Sequence, residues 1–351
     1  MVRIGIVGTG AVFSYAHMPQ LLNIENCKIT AICDINPEKL KEYGEKLNIE
    51  EKYRFTDYRD LINCDVVDAV EICTPNYIHV EIAKAAAKAG KAVEIEKPLS
   101  INYNGIDELV NIIEKNNLPN MMCFSYRFKP AVRYAKKLLD EGKIGRIINV
   151  SIEYLKDSAF YPGRKLEWRF IKSMAGSGVL GDLGVHLVDM TKFLIGDFKS
   201  VYAMKDVVVK ERPREDCDET GAVETDDIVS FIAKLENDII ANFTVTRCAL
   251  GNRNTIKYEV YGTKGVVKFN LNNDKELTYG FTEIENDNNL ELITEAVPEE
   301  FLNPSQEQTF IDSIMGNKAD FLPDVKEGAV CQKVIDAILE SSESGKPITI
   351  E

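Results

Sequence analysis

The chain has 351 residues, of which 45% are hydrophobic and 28% charged, so long disordered segments are not expected. Its length favours two domains, because one hydrophobic core rarely grows beyond about 250–300 residues. The formal net charge of −14 argues against nucleic acid or an anionic membrane as a partner, since both select for basic patches. A small, neutral or modestly charged ligand fits better.

The eight cysteines are scattered, without a C-x-x-C pair or a histidine at metal-ligand spacing. This argues against a zinc site, and we expect reduced cysteines, no metal and a cytoplasmic protein. The sequence opens on a strand pattern instead of the charged and apolar regions of a signal peptide. We find no apolar run near the roughly 20 residues needed to span a bilayer.

Short apolar runs alternate with amphipathic segments in residues 1–123. This alternation predicts a parallel, doubly wound sheet of the Rossmann type with helices between the strands. The predicted strands are 3–8, 28–34, 68–74, 92–97 and 120–125, and the predicted helices are 37–48, 77–90 and 104–117.

The pattern changes in residues 124–351, where successive strands follow one another with few helices. It predicts a second domain of α+β type on an open, mainly antiparallel sheet. The acidic stretch 210–227 is expected to be a solvated loop, and a helical tail at about 304–345 is expected to pack back toward the N-terminal domain. The predicted strands are 146–155, 200–209, 226–236, 238–247, 256–270 and 276–283.

A glycine-rich turn follows the first predicted strand. Gly8 and Gly10 precede a helical segment, where glycine lets backbone N–H groups approach a pyrophosphate. Phe13 occupies the third position of the G-x-G-x-x-G fingerprint, so the motif is incomplete. Asp34, at the end of the second strand, is placed to bind the adenosine ribose and repel a 2′-phosphate. The pattern favours NAD over NADP; the alternative for Asp34 is a turn residue.

A second polar pattern lies in GSGVLGDLGVHLVDM, residues 176–190. Asp182 and His186 are four residues apart, on one face of a predicted helix. The apolar residues at 180, 183, 187 and 190 are expected to anchor this helix in its own domain. The glycines are expected to let substrate and cofactor approach.

Three segments occur in order: GTGAVF (8–13), CTPNYIHVEIAKAAAKAGKAVEIEKPLS (73–100) and GVLGDLGVHLVDM (178–190). With them the chain resembles the Gfo/Idh/MocA oxidoreductases, which include inositol dehydrogenases, glucose-fructose oxidoreductase and other sugar dehydrogenases. The resemblance covers nearly the full length. It implies a carbohydrate or cyclitol substrate and pairing of second domains into a homodimer or homotetramer.

The resemblance also implies the site residues. The catalytic set would be Lys97 from the first domain with Asp182 and His186, from the second domain, facing it. The cofactor would be contacted by Gly8, Thr9, Gly10, Ala11, Val12, Phe13, Asp34, Thr74, Pro75, Asn76, His79, Glu96, Lys97, Ser125, Arg127, Trp168 and Arg169. The substrate would be contacted by Lys97, Tyr126, Tyr154, Trp168, Asp182 and His186.

The chemistry accounts for these residue types. Oxidation of a secondary alcohol removes a proton from oxygen while hydride leaves carbon for the nicotinamide. His186 is the first candidate for the base, because histidine ionises near neutral pH. Asp182 would orient the substrate or the imidazole, and Lys97 would stabilise the alkoxide or relay the proton. A desolvated lysine can itself act as the base, so this choice stays open.

Three other functions are compatible with the sequence. A tightly bound NAD could support redox-assisted elimination of a glycosidic substituent. A nucleotide-sugar oxidase would require more basic residues for the diphosphate than the loop 156–165 supplies. A non-catalytic, cofactor-binding regulator would lose the catalytic set, whereas Lys97, Asp182 and His186 are all present.

Overall fold

The computed structural model describes residues 1–161, 163–215, 217–285 and 289–350. The chain divides into two compact units: Met1–Phe124 with Pro304–Val330, and Ser125–Asn303 with Cys331–Glu351. Residues 304–330 thus fall in the first unit, and the predicted division at residues 123 and 124 stays a prediction. A long-range contact joins these two segments of the first unit, since the Met122 N–H donates to the Pro323 carbonyl at 2.8 Å.

The strands of the described residues are numbered in chain order. They are β1 Val2–Val7, β2 Cys27–Cys33, β3 Arg54–Phe55, β4 Ala69–Ile72, β5 Ala92–Ile95, β6 Asn120–Met122, β7 Ile147–Leu155, β8 Phe198–Asp206, β9 Glu211–Pro213, β10 Thr220–Ala222, β11 Ile228–Leu235, β12 Ile240–Thr246, β13 Thr255–Gly262, β14 Gly265–Asn270, β15 Glu276–Phe281, β16 Ile293–Ala296 and β17 Ile348–Thr349.

The α-helices of the same residues are numbered likewise. They are α1 Met18–Leu21, α2 Pro37–Lys46, α3 Tyr58–Ile62, α4 His79–Lys88, α5 Ile106–Asn116, α6 Pro130–Asp140, α7 Lys172–Ala175, α8 Val185–Leu194, α9 Gln306–Ile314 and α10 Val325–Ser344. Among the described residues, no helix is both long and apolar enough to cross a membrane.

The first unit is built on a parallel sheet in the order β3-β2-β1-β4-β5-β6. This order is that of a doubly wound dinucleotide-binding sheet, in which ligands bind outside the carboxyl ends of the strands. Helix α2 begins as its sequence predicts, because the Asn36 side chain accepts from the Glu38 N–H at 2.9 Å and Pro37 follows it. The predicted fold of this part is confirmed.

The second unit is built on a mixed sheet in the order β16-β15-β14-β13-β7-β12-β11-β8-β17. Strands β7 and β12 are parallel, and the other neighbours are antiparallel. Burial alternates along β11, where Val229, Phe231 and Ala233 are buried and the intervening residues are not. One face of this strand is therefore packed and the other is open, as expected for an antiparallel sheet.

The acidic stretch 210–227 differs from its prediction as a loop. Strands β9 and β10 form an antiparallel pair within it, with Gly221 opposite Arg212. The Arg212 guanidinium is buried against the Phe170 ring at 4.3 Å and donates to the Ala159 carbonyl at 2.8 Å. These contacts hold a charged hairpin in place; Asp216 lies outside the described residues.

Candidate functional site

The turn after β1 has two glycines with different surroundings. Gly8 has a φ of +96°, and a Cβ there would lie 2.7 Å from the Cys73 carbonyl oxygen, so only glycine fits. A Cβ added at Gly10 would meet no atom within 4 Å. The chain itself does not require glycine at position 10, and the open space leaves room for a ligand beside the helix that begins at Ala11.

The large residue at position 13 packs inside the first unit. Phe13 is fully buried and meets Tyr43 edge to face, with ring centroids 5.7 Å apart. This packing explains why the third fingerprint position tolerates a bulky side chain. Contacts of Ala11, Val12 and Phe13 with a cofactor stay predictions.

Asp34 ties the glycine turn to the end of β2. Its Oδ2 accepts from both the N–H and the hydroxyl of Thr9, each at 2.9 Å, and its Oδ1 accepts from the Asn36 N–H at 2.9 Å. Asp34 therefore does act as a turn residue. Its half-buried carboxylate is also fixed at the edge where a dinucleotide fold binds its ligand.

The loop after β4 is held by a buried histidine. His79 Nε2 lies 2.8 Å from the Thr74 carbonyl, and its Nδ1 lies 2.9 Å from the Pro98 carbonyl. Burial lowers the pKa of His79, so the neutral ring donates to one of these two oxygens. Thr74 Oγ1 is buried without a hydrogen-bond partner, which makes it a donor suited to a ligand at this edge.

Lys97 follows β5 in the segment Glu96-Lys97-Pro98, whose Lys97–Pro98 peptide is cis. The Lys97 N–H donates to Glu96 Oε2 at 3.0 Å, and Glu96 Oε1 lies 2.9 Å from His17 Nε2. Burial opposes the charge of Glu96, but the hydrogen bond and charge of His17 outweigh it and lower the pKa of the carboxyl. The backbone of the lysine is therefore fixed by a buried acid–imidazole pair.

More buried carboxylates lie next to this pair. Burial raises the pKa of Glu71 to about 7 and that of Glu94 well above its usual value. Burial also opposes charge on His17, but Glu71, Glu307 and Glu96 more than offset this and raise the pKa of the imidazole. None of the sequence motifs predicts this buried cluster, which consists of His17, Glu71, Glu94, Glu96 and Glu307.

In the second unit, Asp182 and His186 lie on a helix that is not uniform. Residues Leu180–Gly184 form a π-helical turn, and α8 continues from Val185. The predicted anchors are buried, and they are Leu180, Leu183, Leu187 and Met190. His186 is 5% exposed and Asp182 is half-buried. Such π turns are frequent at functional sites.

The glycines before this helix have a local role that the sequence did not show. Asp226 caps the helix start: its carboxylate accepts from the Gly178 N–H at 2.7 Å and from the Leu180 N–H at 2.9 Å. A Cβ at Gly178 would lie 1.9 Å from the Asp226 carbonyl oxygen. Gly178 is required for this close approach, and the expectation that the glycines of this segment let substrate and cofactor approach stays a prediction.

Tyr126 lies beside His186 and is joined to a second tyrosine. The Tyr126 ring meets the imidazole edge to face, with centroids 4.7 Å apart, and the hydroxyls of Tyr126 and Tyr154 are 2.7 Å apart. Tyr154 in turn donates to Asn254 Oδ1 at 2.9 Å. The structure thus brings together three predicted substrate residues and adds Asn254, which precedes β13 without any motif that would identify it.

The remaining predicted residues of this unit have partners of their own. Arg127 is buried and forms an ion pair with Asp189. Arg169 stacks on Trp168 at 4.4 Å, both being half-buried, and Ser125 is exposed. Arg127 therefore has a packing role, and the cofactor contacts predicted for these residues stay predictions.

Family models match both parts of the chain. The model of an oxidoreductase family with an NAD-binding Rossmann fold matches residues 2–124, and that of the GFO/IDH/MocA C-terminal domain matches residues 132–268. The chain therefore belongs to the GFO/IDH/MocA family of oxidoreductases. The predicted family, fold class and NAD cofactor are confirmed.

Two named relatives and one solved structure show which dehydrogenases this chain is similar to. The chain is 35% identical over 293 residues to levoglucosan dehydrogenase of Pseudarthrobacter phenanthrenivorans, a match covering 79% of this chain and 74% of the relative. It is 28% identical to myo-inositol 2-dehydrogenase of Thermotoga maritima, covering 81% and 79%. A solved levoglucosan dehydrogenase in complex with NADH superimposes with a TM-score of 0.88 at 30% identity, covering 100% of this chain and 99% of that one.

Proposed function

We propose that this protein is an NAD-dependent dehydrogenase that oxidises a secondary hydroxyl of a sugar, cyclitol or glycoside. The observation that carries the proposal is the presence of Lys97, Asp182 and His186 in a chain 35% identical to a levoglucosan dehydrogenase. The inositol dehydrogenase among the relatives supports the same substrate class.

The first unit supplies the residues that would hold NAD. Gly8 shapes the turn after β1, and Gly10 leaves open space beside it. Asp34 offers an acceptor and Thr74 an unpartnered donor at the same edge of the sheet. When bound, the cofactor supplies the hydride acceptor. The hydrogen bond from the Lys97 N–H to Glu96 fixes the backbone at the end of β5, and this would orient the Lys97 ammonium group.

The second unit supplies the acid–base group. His186 is nearly buried, and its ring is oriented by the edge of Tyr126. In the proposed reaction it accepts the hydroxyl proton, Asp182 orients the substrate, and Lys97 stabilises the negative charge on oxygen.

A substrate panel tests this function. Purified protein would be mixed with NAD and with inositols, monosaccharides, levoglucosan or other glycosides, and NADH would be followed by its absorbance. We expect NADH to accumulate with at least one member. If NAD binds but no member yields NADH, the dehydrogenase proposal fails, and release of a glycosidic substituent without NADH would indicate redox-assisted elimination.

Replacing Asp34 by Asn tests cofactor choice. Asn retains an acceptor for Thr9 but removes the charge that would repel a 2′-phosphate, so we expect the ratio of kcat/KM for NADP to that for NAD to rise about tenfold. Thr9→Val is the control, because it removes one hydrogen bond to Asp34 while keeping the carboxylate. A fall in Tm with an unchanged cofactor ratio would mean that Asp34 is a turn residue alone.

The open face of the second sheet supports a proposed homo-oligomer. Four large apolar residues are exposed on this face, and they are Tyr202, Met204, Ile232 and Ile240. Contiguous exposed apolar residues mark interaction surfaces. We expect a dimer or tetramer by light scattering, converted to monomer by Ile232→Glu but not by Leu250→Glu, a change at a more exposed residue outside the sheet. A monomeric parent protein would contradict this.

A further inference from the structure

Four ionisable side chains are buried together within the first unit. His17, Glu71, Glu94 and Glu307 are each at most 1% exposed. They come from the helical segment before α1, from β4, from β5 and from α9. Glu71 and Glu94 are register partners in the parallel pair β4–β5, so their side chains project from the same face of the sheet.

The two nitrogens of the His17 ring have different surroundings. Its Nε2 lies 2.9 Å from Glu96 Oε1, and in a neutral ring this bond would use the single ring proton. Its Nδ1 lies 3.2 Å from Glu71 Oε1 and 3.2 Å from Glu307 Oε1, yet it forms no hydrogen bond. A ring that donates one nitrogen to a carboxylate and directs the other toward ligand oxygens is the usual state of a metal-bound histidine.

The carboxylates also retain unused ligand atoms. Glu71 Oε2, Glu94 Oε2 and Glu307 Oε2 are buried without hydrogen-bond partners. Ligand atoms of His17, Glu94 and Glu307 all lie within 4.8 Å of one another, and Glu71 belongs to a second such group, with His17 and Cys73. His17 is common to both groups. Bonds of about 2.1 Å to a common ion place neighbouring ligand atoms roughly 3.0–3.4 Å apart, which matches the separations around Nδ1.

The carboxyl groups of Glu71, Glu94 and Glu307 require positive charge or protons to compensate them. If all three carboxyls were ionised they would carry three negative charges, and no lysine or arginine of the described residues forms an ion pair with Glu71, Glu94 or Glu307. Burial raises the pKa of Glu71 and Glu94, so without a cation these two carboxyls favour the neutral form. One proton on His17 would balance only one of the three charges. Uncompensated buried charges cost several kcal/mol each, so a cation or shared protons must compensate.

We propose that the first unit binds one divalent transition-metal ion through His17 Nδ1 and the carboxylates of Glu71, Glu94 and Glu307. One imidazole with carboxylates suits Zn²⁺, Mn²⁺ or Fe²⁺. The ion joins β4, β5, α9 and the helix that follows the glycine turn, and through Glu96 it fixes the backbone of Lys97. Its role is structural.

This proposal runs against the expectation of no metal drawn from cysteine spacing. The four ligands stand at positions 17, 71, 94 and 307, too far apart to form a spacing motif. Only the fold brings them together.

Metal analysis of the full chain tests the proposal. Protein produced without a polyhistidine tag would be dialysed against EDTA and examined by plasma mass spectrometry. We expect about one equivalent of a single divalent metal per chain, released only on unfolding in guanidinium. Refolding with chelator should lower the Tm by about 10 °C, and Zn²⁺ or Mn²⁺ should restore it. Less than a tenth of an equivalent would overturn the proposal.

Substitutions distinguish a metal from shared protons. With a metal, Glu71→Gln and Glu307→Gln lose the ion and lower the Tm to that of the chelator-refolded protein. With shared protons, either change removes an acid that must be kept neutral, so the Tm stays or rises, and the proposal fails. His79→Asn is the matched control, since His79 is equally buried in this unit but outside the cluster, and its metal content should equal that of the parent. If no variant folds, the metal content of the parent still decides.

Discussion

Replacing His186 by Ala is expected to lower kcat by about 10²- to 10⁴-fold, the usual contribution of a positioned general acid–base group. NADH binding, followed by fluorescence, should stay within a few-fold of the parent, because His186 lies in the second unit and the glycine turn in the first. Steady-state kinetics on the best substrate of the panel measures this effect.

Chemical rescue separates acid–base chemistry from packing against Tyr126. Imidazole added to the His186→Ala variant should restore part of the turnover if the ring transfers a proton. Tyr126→Phe is a companion change that keeps the edge-to-face ring contact and removes only the hydroxyl. Full activity in His186→Ala would remove His186 from the mechanism.

Replacing Lys97 by Met is expected to lower kcat by about 10²- to 10³-fold, because it removes the charge that stabilises the developing alkoxide and keeps a similar volume. The hydrogen bond from the backbone of residue 97 to Glu96 survives, so we expect little change in Tm. Turnover and a thermal melt, measured on the same sample, check both parts.

Lys97→Arg helps to assign the base. Arginine keeps the positive charge but does not deprotonate in proteins. If Lys97 acts by charge, the Arg variant should retain much more activity than the Met variant; if it is the base, both should be equally slow. Combining Lys97→Met with His186→Ala tests cooperation, since two residues in one proton transfer give far less than additive losses. Additive losses would contradict a shared step.

The fold was largely predictable because hydrophobic periodicity and turn residues mark its longer elements. Strands β3 and β17 are two residues long, too short for a periodic signal. The sequence predicts a helical tail that packs back toward the N-terminal domain, but the bounds of the returning segment, residues 304–330, depend on long-range contacts such as that of Met122 with Pro323. No local pattern records such pairings.

The candidate site was predictable where family motifs mark it and unpredictable where the fold assembles it. Asn254 and Asp226 belong to no motif, and their roles arise from contacts with Tyr154 and Gly178. The sequence does contain one indication of the buried carboxyl cluster, because β4 and β5 share the sequence AVEI. A glutamate in the middle of two fully buried strands is costly unless paired, so the repetition points to a special environment.

The first unit is formed by two separate segments of the chain, and this limits how it can be produced on its own. The backbone leaves the first unit after Phe124, returns at Pro304 and leaves again within α10, after Val330. A gene fragment ending at the last strand of the Rossmann sheet would omit α9 and with it Glu307 and Gln306, whose side chains are buried beside Glu94. The first unit therefore cannot be transferred as one continuous segment. A domain swap or split reporter must include both residues 1–124 and residues 304–330, because otherwise the buried carboxyls of Glu71 and Glu94 become exposed.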